Sequence, residues 1–174
     1  MAMTALFAAI LCAVAPFSVA VGPIPLSLAT LVVYLASGSL GWKRGTISVL
    51  LYVIIGAVGM PVFTGFEGGF HKIAGVTGGY IIGYIPCALV TGLIGDFLLN
   101  EKRKVWTYAI GMVTGTVLLY TCGTAWFMLQ TGSRLAAALA LCVMPFLIGD
   151  VIKIIVACLT APKLRNALRS ASRG

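Results

Sequence analysis

Charged side chains are what this sequence most lacks: Asp, Glu, Lys and Arg make up 9% of its 174 residues. An ordinary soluble domain carries roughly 25%. Folded in water, the chain would expose large apolar patches and aggregate, so a soluble globular class is excluded. Acidic groups are fewest, four Asp plus Glu, and histidine occurs once. The many serines and threonines have no histidine in sequence reach to act as a base, so enzyme chemistry is not expected. His71 stands beside Lys72 with no cysteine or second histidine nearby, which argues for a surface or hydrogen-bonding role and against a metal. The five cysteines, Cys12, Cys87, Cys122, Cys142 and Cys158, lie within apolar runs at spacings unlike a metal site; they read as small apolar fillers. GVTGGY lacks the lysine and the spacing of a phosphate loop, so no ATPase is expected within the chain. The N-terminal MAMTALFAAILCAVAPFSVA lacks the positively charged leading region of a secretory signal and reads as a retained first transmembrane helix. No internal repeat is visible, and so none of the inverted symmetry of many secondary transporters.

What the chain has is apolar length. Hydrophobic residues make up 60% of it and its mean hydropathy is +1.08, the composition a bilayer demands of its solutes. The expected fold class is an all-α membrane protein, a single domain over residues 1–174. Six apolar runs are set apart by glycine, proline and charge: about 4–21, 26–40, 46–60, 80–99, 105–129 and 135–160. They predict six transmembrane helices in a compact bundle. The second and third runs are shorter than the ~20 residues a perpendicular crossing needs. Loops or neighbours must cover their ends, or those ends line a cavity where irregular backbone is tolerated.

The 12 basic residues outnumber the acidic ones, but they fall in short clusters between apolar runs, as topology determinants do rather than as a nucleic-acid surface. With six spans, Lys43 and Arg44, then Lys102, Arg103 and Lys104, then Lys163, Arg165, Arg169 and Arg173 share one side. GPIP, the 61–79 connection and QTGSR share the other, with Lys72 and Arg134 as its bases. The positive-inside rule makes both termini cytoplasmic and the 61–79 loop extracellular. Asp96 and Glu101 are expected to pair with Lys102–Lys104 or to cap helix ends.

Three features have potential function. The connection PVFTGFEGGFHKIAGVTGG holds Gly65, Gly68, Gly69, Gly75, Gly78 and Gly79, with Phe63, Phe66, Phe70, Ile73 and Val76 interleaved. A solvated linker has no use for so many apolar side chains, so the loop is expected to fold back onto the bundle as a ligand lid, with a plain connector as the alternative. Ala5, Ala9 and Ala13 fall on one face of the first helix and permit close helix approach in lipid, inside the bundle or against a partner. Asp150 and Lys153, in LIGDVIKIIVACL, stand one turn apart where a charge costs on the order of 2.5–3.5 kcal/mol. Either they neutralise one another, or their face points into a cavity and binds a polar solute with N–H donors and an anionic group. Pro145 is placed to kink the last helix and open such a cavity.

PIPLSLATLVVYLASGSLGWKRGTISVLLYVIIGAVGMPVF, followed by GG, GVTGGYIIGY and the late LIGDVIK, resembles the BioY family, the biotin-binding S-components of energy-coupling factor (ECF) transporters. The separated motifs occur in the family's order over most of the chain. Val76 departs from the proline that members often carry there, while Gly75, Thr77, Gly78 and Gly79 match. The resemblance implies a plasma-membrane protein that captures biotin from outside, with no cofactor and no chemistry on the ligand. It also implies a transmembrane coupling subunit and two cytoplasmic ATPases as partners, with Ala5, Ala9 and Ala13 as the contact surface. An S-component for a different vitamin is the alternative. Asp150 and Lys153 map onto family ligand-binding positions: Asp150 would accept from the ureido N–H groups, and Lys153 would meet either the carboxylate or the ureido carbonyl. Thr77, Gly78 and Gly79 belong to the binding loop. Tyr80 and Tyr84, four apart, would flank the ring system or form an aromatic belt; Thr30 and Ser27 are further pocket candidates.

Overall fold

A computed structural model describes residues 1–20, 24–97 and 105–171. Among these residues the fold is helical apart from one small ribbon and one isolated bridge. Helix α1 (Ala2–Val14) is shorter than the first apolar run because Pro16 cannot continue the backbone ladder. The chain then turns into an antiparallel pair, β1 (Ser18–Ala20) and β2 (Pro25–Ser27), with Ser18 opposite Ser27. The ends of the first two runs are therefore strand rather than helix. Gly22 and Pro23 of the GPIP punctuation lie outside the described residues.

Helix α2 (Ala29–Leu40) is central, packed against α1 and against α3 (Trp42–Ala57), α5 (Gly78–Phe97) and α8 (Met144–Ala171). Its 12 residues extend only about 18 Å. Its alanines, serines and glycine let neighbours approach closely, which is what holds helices together in lipid. The single residue between α2 and α3 is Gly41, at φ 82°, a conformation glycine adopts freely. The third helix thus starts four residues before its apolar run and carries Lys43 and Arg44 in its first turn.

Asp96, near the end of α5, organises this corner. Its Oδ2 accepts from the Trp42 backbone N–H at 2.9 Å, capping α3, and its Oδ1 pairs with Arg165 of α8. The expected cap is present, on another helix, and among the described residues Asp96 has an ionic partner 69 positions away. Glu101 and Lys102–Lys104 lie outside the described residues, as does Arg173.

The 61–79 connection is partly structured. Phe63 pairs with Glu67 in an isolated bridge, a short helix α4 (Phe70–Ala74) follows, and Gly78 already opens α5. The segment does fold back. Gly65 N–H donates to Pro16 O at 3.0 Å and Gly69 N–H to Gly56 O at 2.7 Å. Phe63 is fully buried, edge-on to Tyr52 at 5.6 Å. Phe66 and Phe70 remain exposed.

Helix α6 (Val105–Thr131) packs along α5. The sixth run is broken into α7 (Leu135–Cys142) and α8 at Val143. Pro145 has no N–H to give, and Phe146 N–H bonds to Val143 O rather than to Cys142 O. The Tyr80 hydroxyl fills that vacancy, donating to Cys142 O at 3.1 Å. The expected kink is thus a break stabilised by a side chain from α5. Beyond residue 160, where the sixth apolar run ends, the chain continues as helix through Pro162 to Ala171. Leu164 and Leu168 pack on the core there, and Arg165 is held by Asp96.

Helices α5, α6 and the Met144–Leu168 part of α8 are each long and apolar enough to cross a membrane; α1 and α2 are shorter apolar helices. Outward faces carry large apolar side chains, among them Trp106, Ile148 and Ile152, which suits lipid contact.

Candidate functional site

Packing of α8 against α2 carries Asp150 and Lys153 into the interior, 5% and 7% exposed. Their ion pair measures 2.9 Å. Lys153 Nζ also donates to Ser27 O at 2.7 Å and to Thr30 Oγ1 at 2.9 Å. An ammonium has three hydrogens, and these three acceptors use all of them. Asp150 Oδ2 accepts from the Tyr120 hydroxyl of α6 at 2.5 Å. A carboxylate has about four lone-pair directions, so after Lys153 and Tyr120 Asp150 still has acceptor capacity. The pair is electrically closed but can accept further donors.

Ser27 is itself held in place. Its hydroxyl donates to Ala15 O at 3.0 Å and accepts from Ala29 N–H at 3.1 Å, which fixes the turn from β2 into α2. A tie between α2 and α6, the 2.6 Å hydrogen bond of Tyr34 to Thr116, fixes the helix that presents Thr30. These bonds offset the desolvation of a buried ammonium.

Above the pair lies a cavity whose empty space, open solvent at its mouth included, is about 580 Å³. Asp150, Lys153, Ser27 and Thr30 line it, with Tyr80, Tyr84 and Tyr120 as aromatic walls. Ile24, Ile81, Leu119 and Phe146 add apolar surface, and Thr64, Lys72 and Thr77 come from the 61–79 connection. Mostly apolar walls with a few convergent polar groups are what an amphiphilic small molecule needs.

The two readings of the charged pair thus combine, since the residues bond each other and also line a cavity. Thr30, Thr77, Tyr80 and Tyr84 line it with them. Gly78 and Gly79 are not among the lining residues. A side chain at Gly79 would meet Trp126 of α6, and one at Gly78 would meet the Ile73 carbonyl. Their lack of a Cβ lets the start of α5 press against its neighbours and so places Thr77. Ala5, Ala9 and Ala13 are not among the lining residues and are exposed on α1, while Thr4, Phe7, Ala8 and Leu11 face the core.

Tyr120 was not singled out from the sequence; it is one aromatic in a long apolar run and meets Asp150 only once α6 and α8 are packed. Lys72 was read as a base of the outer side, and its place on the cavity wall depends on α4. Thr64 and Phe146 had no distinguishing signal.

The BioY family model matches residues 1–170. A biotin transporter BioY of Thermotoga maritima is 36% identical over 162 residues, covering 92% of each chain. A probable biotin transporter BioY of Pyrococcus horikoshii is 37% identical over 164 residues, 94% of each. The crystal structure of the S-component for biotin from an ECF-type ABC transporter superposes with a TM-score of 0.86 at 25% identity, covering 95% of this chain and 89% of that one.

Proposed function

Because the chain belongs to the BioY family, we propose that it is the substrate-capture subunit of a vitamin uptake transporter of the ECF type, and that its ligand is biotin. The observation that carries this reading is the floor of the cavity, where a buried carboxylate keeps free lone pairs under an apolar, tyrosine-rich chamber. Biotin has two ureido N–H donors, an apolar bicycle and an anionic tail. Asp150 accepts from the ureido group, and Tyr80, Tyr84 and Tyr120 flank the bicycle. Lys153, with its three hydrogens engaged, holds and neutralises Asp150. Thr30 anchors Lys153; Thr77, with Gly78 and Gly79 behind it, closes the outer wall. Nothing in this mechanism alters a covalent bond of the ligand or calls for a cofactor.

The protein is a multi-pass membrane protein. In this reading α1, α2, α3, α5, α6 and α8 are its six spans, α7 leads into the last, and the 61–79 segment is extracellular. Both termini are cytoplasmic, supported by the one-sided basic clusters. A transmembrane coupling subunit and two cytoplasmic ATPases complete the transporter. The exposed stripe of Ala5, Ala9 and Ala13 supports α1 as the contact surface, since small side chains let a partner helix approach closely.

Calorimetric titration of the purified protein in lipid nanodiscs tests the assignment: saturable biotin binding supports it. Binding of riboflavin or thiamine in place of biotin overturns it.

A further inference from the structure

The deep pair provides for donors on a ligand, but leaves its anionic end without a cation. Among the described residues that line the cavity, the bases are Lys153 and Lys72. All three Lys153 hydrogens are committed to Ser27, Thr30 and Asp150, so a ligand carboxylate would have to break that set to reach it. Lys72 is differently placed. Its Nζ pairs with Glu67 at 2.6 Å, and the two side chains are 21% and 50% exposed. Glu67 does not line the cavity and can turn into water without leaving a buried charge behind.

The backbone beneath Lys72 is fixed. Trp126 Nε1 of α6 donates to Gly75 O at 2.9 Å, and Gln130 Nε2 donates to Ala74 O at 2.7 Å. These bonds pin the end of α4 to α6, so Lys72 can change partner by side-chain rotation alone. Thr64 and Thr77, on the same outer wall, add hydroxyl donors.

We propose that Lys72 is the specificity determinant for the ligand's anionic end, exchanging Glu67 for a ligand carboxylate as the cavity fills. The inference rests on the biotin reading and deepens it: the bicycle is held at Asp150 and the acid tail at Lys72. Glu67 is then an internal competitor: it keeps the mouth cation neutralised in the empty site and lessens, without abolishing, the advantage of a carboxylate over an uncharged tail. A ligand with an amide tail forfeits the exchange.

Titrations with biotin and with uncharged biotinamide, on wild type and on Lys72→Met, Lys72→Arg and Glu67→Gln variants in nanodiscs, test this. A charge-assisted hydrogen bond at a partly exposed site gives about tenfold in affinity. Lys72→Met should weaken biotin by about that factor and leave biotinamide nearly unchanged, and Lys72→Arg should restore the preference. Glu67→Gln, which removes the competitor, should tighten biotin and not biotinamide. An unaltered biotin-to-biotinamide ratio in Lys72→Met or Glu67→Gln overturns the inference while leaving the biotin assignment standing. Failure of the wild type to bind biotin overturns both.

Discussion

Asp150→Asn keeps the shape of the side chain and changes one acceptor oxygen into a donor nitrogen. In the native site Oδ1 receives Lys153 at 2.9 Å and Oδ2 receives Tyr120 at 2.5 Å. The asparagine carbonyl can satisfy Lys153, which leaves the amide NH2 facing the Tyr120 hydroxyl and the ureido N–H of biotin. The Tyr120 hydroxyl can turn to accept from that NH2, but at the ureido N–H donor meets donor, and the site carries an uncompensated ammonium. A hydrogen bond to a charged group is worth about 1.5–3 kcal/mol, so losing one weakens binding by about 10- to 150-fold. Titration calorimetry in nanodiscs reads the affinity, and a thermal melt on the same sample confirms that the variant is folded. A folded Asp150→Asn protein with affinity within about twofold of wild type, well short of that loss, would refute the assignment of Asp150 as the ureido acceptor and return the pair to a purely structural role.

Lys153→Ala removes the partner of a buried carboxylate and strands Ser27 O and Thr30 Oγ1; breaking such a pair costs about 3–5 kcal/mol, seen as a lower melting temperature together with weakened biotin binding. Asp96→Ala removes the α3 cap and the partner of Arg165, and should lower stability by about 1–3 kcal/mol without changing the biotin affinity of the folded fraction. Ala9→Trp places a bulky ring on the exposed stripe of α1 and should abolish co-purification with the coupling subunit while biotin still binds. Glu67 is held below the usual carboxylate range by its hydrogen bond to Lys72 and that residue's charge. Since its folded pKa is depressed, the pair's contribution is complete above the usual value of 4.5 and is lost as pH falls through the lower one. Carboxyl-carbon NMR of Glu67 should show that low titration, moving upward in Lys72→Met.

The helical membrane class was legible because lipid allows few alternatives: a spanning segment must be apolar and must satisfy its own backbone. The Asp150–Lys153 pair was legible for the same reason, as the costly exception within such a segment. Pro145 announced the disturbance of the last helix, but the break at Val143 depends on the Tyr80 hydroxyl taking up the Cys142 carbonyl, a contact between residues 62 apart in sequence. Asp96 was expected to pair with Lys102–Lys104 or to cap a helix end; it caps α3, and its pairing with Arg165 was not legible because sequence shows only neighbours along the chain. The continuation of α8 past Pro162 was hidden by its charges, which look like a solvated tail until Arg165 has a partner. Lys72 was hidden by its loop, since a lysine between glycines reads as solvent-exposed until α4 is pinned to α6.

A structure of the protein with biotin bound in a lipid nanodisc tests the central claim most directly. The account predicts the ureido nitrogens within hydrogen-bonding distance of the Asp150 carboxylate, the bicycle between the cavity tyrosines, and the acid tail directed toward Lys72. A ligand bound outside the cavity, or held in the reverse direction with its carboxylate at Lys153, would contradict it.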